Sequence, residues 1–196
     1  MREDHWRMRR SWIALNLCRL PVSFVASVEQ TPHPKLAGFG EPLNTPTTIR
    51  YHEGAEIGYR WLAKTDARPL FAFGHGVSYT SCGYSDLAVS GGETITASFT
   101  VTNTGQRPGA DVPQFYLTDV AGEKRMRLLA FERVELRPGE SRRVTVSADP
   151  RLLARFDSAA GQWRILEGTD QVALGKSASD LVLTTEAPLT PRLFGR

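Results

Sequence analysis

The decapeptide Thr94-Ile-Thr-Ala-Ser-Phe-Thr-Val-Thr-Asn103 alternates strictly between apolar and polar side chains. Ile95, Ala97, Phe99 and Val101 fall on one face, and threonine or serine occupies every position of the other. Because successive side chains of a β-strand point to opposite faces, this period of two predicts a half-buried antiparallel strand. An Asn-Thr-Gly turn ends the strand, since asparagine and glycine both tolerate positive φ.

Segments with similar alternation recur along the second half of the chain. Within residues 128–136 the apolar phase slips by one position, which predicts a β-bulge at Glu132–Arg133. Asp149 followed by Pro150 predicts the start of a short helix, with the aspartate as N-cap. These segments predict a mainly β chain folded as an antiparallel β-sandwich of about seven strands. Eight segments are candidates: residues 84–89, 94–103, 112–119, 128–136 and 142–148, with the pairs Trp163/Ile165, Val172/Leu174 and Leu181/Leu183.

The segment before the sandwich has a different pattern. Residues 30–48 contain four prolines and two glycines, which predicts an extended linker without regular structure. Residues 53–61 are expected to form a short helix or turn with Ile57 and Trp61 on one face. An apolar cluster then follows and is expected to pack on the base of the sandwich: Leu70, Phe71, Phe73, Val77 and Tyr79.

Three motifs in this region carry a resemblance to a known family. They are Tyr51-His-Glu53-Gly54, Gly58-Tyr59-Arg60 and Pro69-Leu-Phe-Ala-Phe-Gly-His75-Gly-Val-Ser-Tyr79-Thr80. In this order they resemble the junction between the second domain of glycoside hydrolase family 3 enzymes and their C-terminal fibronectin type III-like domain. The resemblance extends from Arg19 to Leu183 and includes Gln114-Phe-Tyr116 and Gly161-Gln-Trp163. It implies a structural junction made by Tyr51, Glu53, Gly54, Tyr59, Arg60, Phe73, Gly74, His75, Gly76 and Tyr79.

The resemblance also implies the order of domains. Arg19-Leu-Pro-Val-Ser-Phe24 is similar to the strand that closes the family's second, α/β-sandwich domain. We therefore expect residues 1–30 to be a remnant of that domain, with residues 1–15 unassigned. Residues 31–83 are then a linker and junction, residues 84–186 a fibronectin type III-like sandwich of the immunoglobulin class, and residues 187–196 a tail. Residues 19–24 are expected to lack a sheet to join.

Family 3 enzymes cleave β-glucosides, xylosides and related glycans, and a retaining glycosidase needs two carboxylates about 5–5.5 Å apart. The resemblance places both acids upstream of Arg19, so neither is assigned to a position here, and whether the chain is an enzyme stays open. No catalytic, substrate-binding or metal residue and no cofactor is predicted. Glu53 is expected to cap backbone N–H groups or to pair with Arg60. His75 is expected to be held in a turn.

Composition excludes few partners. The net charge is +3, from 24 basic and 21 acidic residues, and its dispersal gives no reason to expect nucleic acid. Cys18 and Cys82 are expected to be free, buried thiols without zinc-ligand spacing. No segment approaches the ~20 apolar residues of a membrane span. Residues 7–18 lack a convincing signal-peptide pattern, so the compartment stays open, although the resemblance is compatible with a periplasmic or secreted parent enzyme.

Three functions fit these observations. The first is the C-terminal part of a β-glucosidase-like or β-xylosidase-like enzyme, supporting catalytic domains and inactive alone. The second is a stand-alone carbohydrate- or protein-binding sandwich, which would display aromatic side chains to a glycan; Trp61, Tyr84, Tyr116 and Trp163 are the candidates. The third is an enzyme completed by a companion subunit, to whose sheet residues 19–24 would add a strand.

Overall fold

The computed structural model of the protein describes residues 19–35, 37–42 and 44–195. Its first part has little regular structure: a 3-10 helix spans Val28–Gln30, and helix α1 spans Tyr59–Lys64. The helix begins after Gly58, whose positive φ of 57° turns the chain into it. Ile57 precedes the helix and is largely exposed, so the expectation that it shares a helix face with Trp61 is wrong.

Two antiparallel sheets form the sandwich, and together they contain seven strands. The three-stranded sheet has the order β1 (Cys82–Ser90), β2 (Thr96–Asn103) and β7 (Ser141–Ser147). The four-stranded sheet has the order β11 (Asp180–Leu189), β10 (Gly168–Ser177), β4 (Gln114–Val120) and β5 (Glu123–Phe131). The predicted mainly β sandwich is confirmed.

Shorter strands close the ends of the sandwich. One pair consists of β3 (Gly109–Asp111) and β6 (Val134–Leu136). A third sheet has the order β12 (Arg192–Phe194), β9 (Gln162–Ile165) and β8 (Arg155–Asp157). Helix α2 (Pro150–Leu153) lies between β7 and β8, and the Asp149 carboxylate accepts a hydrogen bond from Arg151 N, as expected of an N-cap.

The core lies between the two main sheets. The predicted inward face of β2 is confirmed, because Ala97, Phe99 and Val101 are fully buried, as is Ile95 just before the strand. The outward-facing residues of β2 form cross-strand pairs with β7. For example, the Thr102 and Ser141 hydroxyl oxygens are hydrogen-bonded at 2.7 Å. The facing sheet contributes fully buried or nearly fully buried side chains from β4 and β10: Phe115, Leu117, Val172 and Leu174.

The bulge predicted at Glu132–Arg133 is wrong in its position, because the register of β5 against β4 shifts between Leu128 and Ala130 instead. Strand β5 ends at Phe131, and β6 begins at Val134 and pairs with β3 in another sheet. Phe131, the last residue of β5, is 62% exposed. The phase slip in the sequence marks the point where the chain leaves one sheet for another, because the two apolar sets face different neighbours.

The expected domain end at residue 186 falls inside β11. Residues 187 and 189 of the predicted tail are buried in the sandwich, and β12 pairs with β9 from Arg192 to Phe194. The described helices include none that is both long and apolar enough to cross a membrane. Three of the sequence predictions fall outside the described residues. They concern Cys18, the unassigned residues 1–15 and the segment 7–18 that was considered as a signal peptide.

Candidate functional site at the junction

Residues 19–24 are attached to the rest of the chain by backbone pairing. Phe24 forms an antiparallel bridge with Phe71, and its N–H donates to Phe71 O at 2.8 Å. Leu20 N donates to His75 O at 2.8 Å, and Gly74 N donates to Leu20 O at 2.8 Å. Residues 19–24 thus join none of the sheets among the described residues, but one antiparallel bridge and several backbone hydrogen bonds attach them to the junction motif.

Arg19 joins this segment to the sandwich. Its guanidinium forms an ion pair with the Asp111 carboxylate, and both side chains are largely buried. It also donates to Lys176 O at 3.1 Å and to Gly74 O at 3.3 Å. Asp111 accepts a second hydrogen bond from the Tyr84 hydroxyl at 2.7 Å. One arginine thus binds the junction loop and strands β3 and β10 together.

The junction loop approaches the Gln114 side chain so closely that position 74 requires a glycine. Its φ of 78° lies in the left-handed region, and a Cβ added to it would overlap the Gln114 side-chain amide. That buried amide donates to Gly74 O at 3.1 Å and to Lys176 O at 2.9 Å. Its oxygen accepts from the Tyr116 hydroxyl. The loop backbone therefore lies directly on the polar end of β4.

An aromatic stack continues the contact toward helix α1. The rings of Tyr59 and Phe73 stack with centroids 4.6 Å apart, and Tyr59 meets the Tyr116 ring edge-on at 6.2 Å. The Tyr59 hydroxyl accepts a hydrogen bond from Leu128 N at 2.9 Å. Two predicted junction residues, Tyr59 and Phe73, are thus placed against the sandwich.

Three titratable groups in and beside this network have raised pKa values. Burial, then the nearby Asp111 carboxylate, raises the pKa of the Tyr84 hydroxyl far above its ordinary value. Burial likewise raises the pKa of the Tyr116 hydroxyl. Cys82 is a free thiol, as predicted, and is half-buried; burial first and Asp111 second raise its pKa to about 11. All three groups are neutral near pH 7, which suits a structural network.

Glu53 lies in a separate cluster on the linker side. His33 Nε2 is 3.0 Å from Glu53 Oε2, and His52 Nδ1 is 4.0 Å from the same oxygen. A hydrogen bond from its own backbone N–H is the largest cause that lowers the pKa of this carboxyl. Of the two alternatives expected for Glu53, the carboxylate thus accepts from a backbone N–H, whereas Arg60 donates to Ala55 O and does not pair with it.

Several predicted junction residues point away from the sandwich. Tyr51 and Tyr79 are each 72% exposed, and Gly54 adopts a positive φ of 59° in open space. His75 is held in its turn as expected, since its N–H donates to Ala72 O at 3.0 Å and its ring packs on Phe71. The next residue, Gly76, is half-buried.

The apolar cluster of residues 70–79 does not pack as predicted. Phe73 is half-buried under Tyr59, but Leu70, Phe71, Val77 and Tyr79 are all exposed, with Val77 at 81%. The sandwich is already closed by its own core, so it offers these side chains no apolar surface. Together with the half-exposed Phe24, which meets Phe71 edge-on at 6.3 Å, they form an exposed apolar set that we call the junction face.

The four aromatic candidates for a sugar platform are not brought together on a surface. Tyr84 and Tyr116 are buried, and Trp163 packs against the core and beside Phe156. Trp61 is half-buried and donates from Nε1 to Gln30 O at 3.0 Å. These side chains serve the interior of the protein.

Sequence reasoning missed the charged and amide groups that make the site. Asp111 and His33 gave no local signal, because each is a single polar residue whose partner is distant in the chain, and Gln114 was noted only within a motif. Arg19 was recognised only as part of a motif. A polar residue placed within a run of strand-forming residues, as Gln114 is, was the available hint.

The fold and this junction define the class of protein as a fibronectin type III-like domain with an N-terminal extension. Residues 111–178 match the family described as the fibronectin type III-like domain. Beyond that domain, the chain is homologous to the C-terminal part of glycoside hydrolase family 3 β-glucosidases, as the sequence motifs predicted.

Individual relatives show the extent of this similarity. The chain is 36% identical over 143 residues to thermostable β-glucosidase B of Acetivibrio thermocellus, covering 69% of this chain and 19% of that protein. It is 35% identical over 170 residues to probable β-glucosidase K of Emericella nidulans, covering 84% of this chain and 19% of that protein. The solved structure of β-glucosidase 3B from Thermotoga neapolitana, in complex with α-D-glucose, matches with a TM-score of 0.78 at 33% identity.

That structural match covers 91% of this chain and 25% of the Thermotoga chain. The chain therefore spans about a fifth of the length of the curated relatives it matches.

Proposed function

We propose that this chain acts as the C-terminal part of a family 3 glycoside hydrolase of the β-glucosidase or β-xylosidase kind. In this role the sandwich supports the catalytic domains and does not itself hydrolyse glycosides. The homology to the C-terminal part of longer β-glucosidases supports the assignment. Its partners are then the catalytic domains of the same enzyme, or a companion subunit that carries them.

The observation that carries this proposal is the attachment of residues 19–24 to the sandwich. A segment that resembles the end of the family's second domain is fixed by Arg19 to Asp111 of β3 and to the backbone of Lys176 of β10. A domain continuous with this segment is consequently held in one orientation relative to the sandwich. Support of this kind needs rigid coupling between domains and needs no reactive group.

The junction face supplies the second argument. Leu70 and Phe71 are exposed beside the attached segment, where the N–H groups of both donate to Phe24 O. Val77 and Tyr79 follow in the same motif and are exposed as well. Apolar side chains gathered on an exposed surface commonly mark a contact with another protein surface. Their position beside residues 19–24 fits coverage by the domain that would precede this segment.

A chimera tests the proposal. The C-terminal region of β-glucosidase 3B from Thermotoga neapolitana is replaced with this chain, and the hydrolysis of an aryl β-glucoside and the melting temperature are measured. The chimera should be active, and the chain alone should not be. Val77→Ser and Tyr79→Ser should change the stability of the isolated chain by less than about 0.5 kcal/mol, since both residues are exposed. The same substitutions should lower the melting temperature of the chimera by several degrees.

Leu193→Ser is the matched control, because Leu193 is an exposed apolar residue in β12, outside the junction face. It should have equal effects in the chimera and in the isolated chain. A chimera that fails to fold would contradict the proposal, as would one in which Val77→Ser and Tyr79→Ser behave like Leu193→Ser.

The binding-module alternative receives no support from a specific surface, because its four aromatic candidates are buried or half-buried. The companion-subunit alternative requires residues 19–24 to add a strand to a partner's sheet. It receives no support, since Phe24 and Leu20 already pair with the junction loop. Saturable binding of a β-glucan to the isolated chain would reopen the first of these.

A further inference from the structure

Two histidines and a glutamate converge beside the linker, and His33 is distant in the sequence from the adjacent His52 and Glu53. His33 lies 20 positions before Glu53, yet its Nε2 is 3.0 Å from Glu53 Oε2. His52 Nδ1 lies 4.0 Å from the same oxygen, and the three donor atoms are all within 4.8 Å of one another. The two imidazole rings meet edge-on with centroids 5.0 Å apart.

These separations suit a small divalent cation. Zinc binds imidazole nitrogen and carboxylate oxygen at about 2.0–2.2 Å, which places tetrahedral ligand atoms about 3.3 Å apart. The two separations from Glu53 Oε2, 3.0 and 4.0 Å, differ from that value by less than an ångström, and the two imidazole nitrogens lie within 4.8 Å of each other. Side-chain rotation alone can make such an adjustment. Two imidazoles and one carboxylate also form a donor set common in zinc sites that keep the fourth position open to water.

The surroundings of Glu53 give a second reason to expect a cation. Its carboxylate is only 6% exposed, and among the described residues its ion-pair partners are histidines, with no lysine or arginine. Among the described residues, this enclosed carboxylate therefore has no counter-ion that is charged at every pH. Aromatic neighbours also orient the imidazoles: Trp61 lies 6.0 Å from the His52 ring, and Tyr51 lies 5.9 Å from the His33 ring.

We propose that His33, His52 and Glu53 together bind one Zn²⁺ ion, with water at the remaining position. The ion joins the first part of the linker to the start of the junction motif. It therefore closes the intervening chain into a loop and restricts its motion. This site is independent of the junction face and of the activity proposed above, so either proposal can fail alone.

The experiment is a calorimetric titration of ZnCl₂ into the tag-free chain, with Co²⁺ absorption as a spectroscopic report on the ligands. We expect saturable binding of one ion per chain. His33→Ala, His52→Ala and Glu53→Gln should each weaken it by on the order of 100-fold, since even second-shell changes at metal sites cost about 10–100-fold. His75→Ala and His5→Ala are the matched controls and should bind as the parent does.

A second measurement follows the linker itself. Trypsin cleavage after Lys35 and Arg50, which lie near the two ends of the loop, should slow when Zn²⁺ is added to the parent chain. It should not slow in His52→Ala, and because the His52 side chain is 58% exposed, this variant should keep the fold. Unchanged zinc affinity in His33→Ala and His52→Ala would overturn the proposal. The proposal would also be overturned if one ion per chain were not bound at roughly 100 μM Zn²⁺, that is, if the Kd were well above that concentration.

Discussion

Replacing Arg19 with methionine should detach residues 19–24 and destabilise the sandwich. Methionine keeps most of the length of the side chain but removes the guanidinium. The Asp111 ion pair and the hydrogen bonds to Gly74 O and Lys176 O are lost together. The Asp111 carboxylate then loses its charged partner and keeps the Tyr84 hydroxyl and the Val112 N–H as donors.

The expected loss is about 3 kcal/mol in the free energy of unfolding, at the lower end of the 3–5 kcal/mol for removing one partner of a buried pair. Two features keep it from being larger. Asp111 retains two hydrogen bonds, and Arg19 Nε has no hydrogen-bond partner among the described residues of the parent protein. Ordering a residue costs about 1–2 kcal/mol. Residues 19–24 should therefore come free when the arginine no longer holds them.

Urea unfolding measures the global loss, and amide hydrogen exchange at Leu20 and Gly74 measures detachment. The matched control is Arg133→Met, because Arg133 pairs with Glu135 on an exposed surface. That change should cost about 0–1 kcal/mol. If Arg19→Met costs no more than the control, and exchange at Leu20 and Gly74 is unchanged, the attachment of residues 19–24 through Arg19 is refuted.

Further predictions concern three other sites. Gly74→Ala should cost about 1–3 kcal/mol more than Gly139→Ala in urea unfolding, because both glycines have φ near 77° but only Gly74 faces the Gln114 amide; equal costs would show that the amide moves aside freely. Cys82, with its pKa raised to about 11, should alkylate at pH 8 far more slowly in the folded than in the urea-unfolded chain. Peptide mass spectrometry would show this, and equal rates would contradict it. Burial raises the pKa of Asp170, which is 3% exposed and whose Oδ2 has no hydrogen-bond partner among the described residues. Its charged form therefore destabilises the folded chain, and this destabilisation grows as the pH rises from the ordinary pKa of 3.8 through the folded pKa. Asp170→Asn should therefore raise the urea midpoint at pH 7 and have little effect near pH 3, and a larger gain at the acidic pH would refute this.

Local sequence determined most of the sandwich. The alternation in residues 94–103 predicted the buried face of β2, since the side-chain period of a strand is a local property. Asp149 and Pro150 predicted helix α2 for the same reason: an N-cap acts on the residues next to it. The ordered motifs of residues 51–80 identified the family, because motif order can be read from a single chain.

Tertiary structure alone decided the site. Arg19 and Asp111 are 92 positions apart, and His33 and Glu53 are 20 apart, so no spacing rule relates either pair. Only the folded chain shows that Glu53 meets histidines and does not meet Arg60. The exposure of Val77 and Tyr79 was also outside the reach of sequence reasoning, since an apolar pattern reports the need for burial but not which surface supplies it.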